Sequence, residues 1–139
     1  MDYALPMLAL VTWTTIIWWA LLLVRLSEIK ANKLLPAQLN TPEDARELLS
    51  LRQNMLARNF ANLLELPMLF YILGTLSILL EVDSKFSVLL AWLFVASRVA
   101  HSLIHTGYNT VLHRFYAYVL GGLILTTWVI TMLLNSVLL

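Results

Sequence analysis

Four long apolar stretches separated by short polar ones decide what this chain is able to become. They lie at about residues 5–24, 59–80, 86–106 and 115–137, each close to the ~20 residues a helix needs to cross the hydrocarbon of a bilayer. Lipid offers no partner to a free backbone N–H or C=O, so segments of this kind fold as helices that satisfy themselves. With 60% hydrophobic and 12% charged residues, too little polar surface exists to solubilise a water-facing domain. The expectation is an all-α integral membrane four-helix bundle, one domain over residues 1–139.

The first stretch has no basic segment before it and no small-residue cleavage site after it, which reads as a retained helix and not a signal peptide. It opens near Pro6 and closes at Arg25, and its tryptophans Trp13, Trp18 and Trp19 are a weak interface cue. A polar loop follows to about Asn40. Thr41, Pro42 and Asp44 then form a helix start, with Thr41 as cap, Pro42 in the first turn and Asp44 closing a capping-box pair. No breaker intervenes before Pro67, so one helix is predicted from water, entering the membrane near Arg58 and reaching about Leu80, with a kink at Pro67. Glu81-Val82-Asp83-Ser84-Lys85 and Gly107-Tyr108-Asn109 are turns. Gly121-Gly122 allows a close helix contact in the last stretch.

Charge narrows the function further. A net charge of +1 lacks the basic field that nucleic-acid binding needs, so that class is set aside. The chain has no cysteine, which removes disulfides, cysteine nucleophiles and thiolate metal sites. Arg25, Lys30, Lys33, Arg46, Arg52 and Arg58 crowd the first connection, whereas Lys85 is the sole basic residue of the second. The positive-inside rule therefore puts both termini on the non-cytoplasmic side.

The polar residues within the apolar stretches are organised. Arg58, Asn62 and Glu65 fall at i, i+4 and i+7, one stripe of a helix, and Arg98, His101 and His105 repeat this at i, i+3 and i+7. Arg114 and Tyr118, four apart, share a face at the start of the fourth stretch. An ionisable group at mid-bilayer costs ~2.5–3.5 kcal/mol on insertion scales, so such groups face a bundle interior or a wet cavity. Plainer readings exist for each. Arg25 and Arg58 could snorkel to the interface, Asn62 could hydrogen-bond across helices, and Glu65 with Arg98 could be a structural ion pair. His101 and His105 are spaced for a metal, but no third ligand accompanies them, so no metal site is assigned. Together the groups suit a small amphoteric anion, with arginines for carboxylates and a glutamate for an ammonium. Glutathione has this charge pattern, and an arginine beside its thiol would favour the thiolate.

The segment Arg58-Asn59-Phe60-Ala61-Asn62-Leu63-Leu64-Glu65-Leu66-Pro67 resembles the second-helix signature of MAPEG, the membrane-associated proteins in eicosanoid and glutathione metabolism. Arg98-Val99-Ala100-His101-Ser102, then Arg114 and Tyr118, are similar to the third and fourth helices of the family's prostaglandin synthase and glutathione transferase branches. Val24-Arg25-Leu26 and Pro42-Glu43-Asp44-Ala45 also have counterparts there.

The resemblance implies a homotrimer of four-helix subunits with glutathione bound between neighbours near the cytoplasmic face. It also implies that Arg25, Asn62, Glu65, His101, Arg114 and Tyr118 contact glutathione, that Arg58 and Arg98 are motif arginines, and that Arg114 stabilises the thiolate. His105 belongs to the candidate set although a tyrosine is usual there. Ala61 replaces an arginine, which weakens carboxylate binding. Phe115 replaces a serine, which argues against prostaglandin chemistry. The function expected is a glutathione-dependent transferase or peroxidase acting on a hydrophobic or lipid-derived second substrate. The alternative is a non-catalytic lipid-binding or scaffold protein on the same fold, and a channel or transporter is disfavoured because no repeat or broken-helix pair is present.

Overall fold

The computed structural model describes residues 3–82 and 84–137; Asp83, in the second predicted turn, lies outside the described residues. Five α-helices follow one another: α1 Ala4–Ala31, α2 Pro42–Leu48, α3 Leu51–Leu79, α4 Lys85–Thr106 and α5 Val111–Val137, with one 3₁₀ turn at Pro36–Leu39 between α1 and α2. No strand occurs among the described residues. Four helices, α1, α3, α4 and α5, are long and apolar enough to cross a membrane, and the chain is an integral membrane protein.

α1 continues six residues past Arg25, since neither glycine nor proline interrupts Leu26 to Ala31. It closes where Lys33 turns left-handed at φ 51°. There the Leu34 N–H donates to Ile29 O at 3.0 Å, a bond that satisfies an otherwise orphaned carbonyl of the last turn.

The single helix predicted from Thr41 to Leu80 is in fact two. The capping pair at its start is present: Thr41 Oγ1 accepts from Asp44 N–H and Asp44 Oδ2 accepts from Thr41 N–H, both at 3.1 Å. Yet α2 stops after two turns, at Leu49, whose ψ of 157° is extended. Ser50 then caps α3, its Oγ accepting from Gln53 N–H at 3.2 Å. What fixes the break is Glu28 at the end of α1, whose carboxylate accepts the Ser50 N–H at 2.8 Å and also the Ser50 hydroxyl. A carboxylate held at a helix N-terminus also meets the positive end of the helix dipole. Asn54 completes the joint, donating to Arg46 O at 2.9 Å and Leu49 O at 3.3 Å. α3 then runs through Pro67 without interruption.

Among the spanning helices α4 is the most enclosed, burying Leu90, Phe94, Arg98, His101 and His105 along one stripe at three- and four-residue spacing. Phe70 of α3 stacks on Phe94 with centroids 4.9 Å apart and meets Trp128 of α5 edge-on at 5.9 Å. Tyr3 stacks on the other side of Trp128 at 5.8 Å. This aromatic column fills the end of the bundle away from the long loop. α1 buries only Pro6, Leu10 and Ile17 and otherwise presents leucine, isoleucine and tryptophan outward, as lipid requires.

Candidate functional site

At the loop end, α3, α4 and α5 surround a cleft of about 470 Å³. α3 contributes Arg58, Asn62 and Glu65, α4 His101 and His105, and α5 Arg114 and Tyr118. The Arg58–Asn62–Glu65 stripe, His101 and His105 of the second stripe, and the Arg114–Tyr118 pair thus meet on one void. The short turn Gly107–Thr110 makes this convergence possible, because it returns the start of α5 to the end of α4. Ala61 and Phe115, the departures from the family pattern, also line the cleft.

His101 is anchored at its rear. Its Nδ1 donates to the Arg114 carbonyl at 3.0 Å, which leaves the proton on Nδ1 and makes Nε2 an acceptor. Nε2 has no partner, nor do His105 Nδ1 and Arg114 Nε. Buried nitrogens without partners are uncommon in native proteins, and these three belong to residues that line the cleft.

Glu65 is exposed on α3 within a membrane-spanning helix, and no hydrogen-bond or ion-pair partner meets it among the described residues. A carboxylate left facing hydrocarbon costs ~2.5–3.5 kcal/mol on insertion scales.

The structural ion pair that Glu65 and Arg98 could have formed does not occur. Arg98 is 1% exposed and lies behind the cleft, with Nη2 donating to Ala117 O at 2.8 Å and Tyr118 O at 3.2 Å. Its Cζ sits 5.4 Å from the Phe94 ring centre and 5.2 Å from that of Tyr118. Carbonyl dipoles and aromatic faces take the place of a carboxylate. Arg98 therefore backs the cleft instead of lining it, and holds the turn of α5 that carries Tyr118. Gly121 makes room for this: a Cβ there would meet Ser97 Oγ at 2.8 Å and Arg98 Cζ at 2.9 Å. Gly122 has nothing within 4 Å, so the close helix contact anticipated from the glycine pair belongs to Gly121 alone.

Arg25 is not brought to this cleft within the chain. It lines a second one, between α1, α2 and α3, which Arg58 and Ala61 also reach. The cross-helix hydrogen bond anticipated for Asn62 is made by its neighbour one turn earlier: Asn59, wholly buried, donates from Nδ2 to Ser102 Oγ at 2.6 Å. This bond locks α3 to α4 beside the cleft. A polar residue at 59 and another next to His101 were visible in the sequence, but their pairing was not.

The sequence profile of the MAPEG family matches residues 3–134. The chain belongs to the MAPEG family. Nearly its whole length is covered, including α1, α3, α4 and most of α5, and MAPEG membership carries a membrane function in glutathione or eicosanoid metabolism. Neither a curated protein nor a solved structure matches the chain.

Proposed function

We propose that this MAPEG protein binds glutathione in the cleft between α3, α4 and α5 and acts as a transferase or peroxidase on hydrophobic electrophiles arriving from the bilayer. The observation that carries the reading is the set of unsatisfied groups of both signs around one void. Arg58 and Arg114 supply guanidinium groups, Glu65 an uncovered carboxylate, and His101 an unpartnered acceptor nitrogen. Glutathione offers the complement: two carboxylates, one ammonium and a thiol.

Bound there, glutathione would supply a nucleophilic sulfur. Arg114 stabilises negative charge at the thiol position, and its carbonyl, held by His101, keeps that turn of α5 in place. Glu65 orients the cationic end and Asn62 adds an amide. His105 and Tyr118 wall the cleft, with Arg98 fixing the Tyr118 backbone from behind. Arg25 joins this set only across a subunit boundary, from a neighbouring copy in the homotrimer that we propose. The cleft faces the cytoplasm in this reading, with both termini opposite. Single cysteines placed in each connection of this cysteine-free chain and tested for labelling from either side check that orientation.

Calorimetry on detergent-purified protein should show glutathione binding, weakened about 10–100-fold in Glu65→Gln, the loss expected for one charge-assisted bond. Conjugation of chlorodinitrobenzene or reduction of a lipid hydroperoxide should disappear in Arg114→Ala. Absence of binding at millimolar glutathione refutes the reading. Binding with no turnover toward any electrophile would leave the non-catalytic alternative.

A further inference from the structure

A thiol that becomes a thiolate must hand its proton to something. Arginine stabilises the negative sulfur but carries no acceptor, so Arg114 cannot take that proton. Of the residues lining the cleft, Glu65, His101 and His105 are those able to accept one near neutral pH, and the glutathione reading commits Glu65 to the ammonium.

His101 meets the requirement. A carbonyl oxygen can only accept, so the 3.0 Å contact with Arg114 O holds the proton on Nδ1. Nε2 is thereby left bare, and it is buried with no partner. The same contact ties this base to the turn of α5 that carries the Arg114 guanidinium, so the proton acceptor and the thiolate stabiliser keep one geometry. His105, one turn further along α4 with ring centres 5.9 Å apart, is the rival acceptor. Charge limits how long either ring holds a second proton. Arg58 faces the pair from α3 and Arg114 from α5, with Glu65 and Tyr118 completing the wall. Two guanidinium groups repel an imidazolium, and a thiolate beside it supplies the balancing charge.

We propose that His101 Nε2 takes the thiol proton of bound glutathione and returns it to the leaving oxygen of a hydroperoxide, which makes hydroperoxides the electrophile class this cleft is built for; the inference rests on the glutathione reading. In the reaction an S–O bond forms between the thiolate and the terminal oxygen of R–O–OH as the O–O bond breaks. Sulfur is oxidised and the peroxide reduced by the same electron pair. The departing alkoxide takes the proton from His101 Nε2 and leaves as an alcohol, and the sulfenic acid condenses with a second glutathione thiol to give the disulfide and water. Negative charge leaves sulfur in the S–O step, so the imidazolium loses its balancing charge at the moment the alkoxide needs a proton. Chloride departs without one, so conjugation of chlorodinitrobenzene calls on the first half of the cycle alone.

The first test uses the wild-type chain in detergent. Calorimetry of glutathione binding in two buffers of different ionisation enthalpy counts the protons released, and ultraviolet absorbance reports the thiolate. S-methylglutathione, which has no thiol proton, gives the baseline. The thiolate should form with no proton released beyond that baseline. Release of about one proton per thiolate, or binding with no thiolate signal, overturns the proposal. In His101→Gln the thiolate should be lost or its proton should reach the buffer, while His105→Gln should match the wild type; the reverse pattern, or a His101→Gln that matches the wild type, overturns the assignment to His101. Turnover separates the two halves of the cycle. With cumene hydroperoxide His101→Gln should lose about 100–10,000-fold in kcat, and the loss should persist above the ordinary thiol value of about pH 8.5. With chlorodinitrobenzene the same variant should recover there, because the thiol ionises unaided. Recovery with both substrates overturns the return of the proton. A wild type that binds no glutathione removes the glutathione reading and this one together, whereas thiolate formation with its proton released removes this one alone.

Discussion

Gly121→Ala tests the way α4 and α5 are joined. A methyl group at 121 would fall on the Arg98 guanidinium, with Ser97 Oγ at 2.8 Å and Arg98 Cζ at 2.9 Å, so Arg98 must retreat from its carbonyl acceptors. Each bond from a charged donor contributes ~1.5–3 kcal/mol, and crowding a packed interface costs ~1–3 kcal/mol. Against this, alanine is favoured over glycine within a helix by ~1 kcal/mol. If one of the two Arg98 bonds is lost, the net destabilisation is about 1.5–5 kcal/mol, or roughly 5–20 °C in melting temperature for a chain of this size. Fluorescence-detected size exclusion after heating in detergent measures it. Gly122→Ala is the matched control, with open space around it and the same propensity gain, and should be neutral or slightly stabilising. Equal melting of the two variants would refute the account of Arg98 as the clamp between these helices.

Other consequences follow from individual bonds. Ser102→Ala removes the partner of wholly buried Asn59 and should destabilise by about 1–3 kcal/mol, visible in the same heating assay. Ser50→Ala deletes the α3 cap and half of the Glu28 tie, costing about 1 kcal/mol. Limited proteolysis should then cut between Leu48 and Leu51 faster than in the wild type.

What the sequence disclosed follows from period and solvent. Apolar runs of sufficient length can only be helices in lipid, and a 3.6-residue repeat puts Arg58, Asn62 and Glu65 on one line whatever surrounds them. The meeting of that line with His101, His105, Arg114 and Tyr118 was legible because a short turn must return α5 beside α4. The break at Leu49-Ser50 was not, since no proline or glycine marks it and its cause, Glu28, lies 22 residues away. Arg98 misled for a related reason. Its acceptors are main-chain carbonyls of Ala117 and Tyr118, which every residue possesses and no side-chain pattern reveals, so the nearest visible acid, Glu65, stood in for them.

The dependence of Arg98 on carbonyls of α5 bears on how the chain enters the bilayer during synthesis. While α5 is still in the ribosomal tunnel, α4 would present a bare guanidinium to lipid, at an insertion cost of ~2.5–3.5 kcal/mol. The two helices should therefore partition out of the translocon as a hairpin. A nascent chain truncated after Thr110 should be extracted from microsomes by alkaline carbonate more readily than the full chain, and Arg98→Leu should restore its retention.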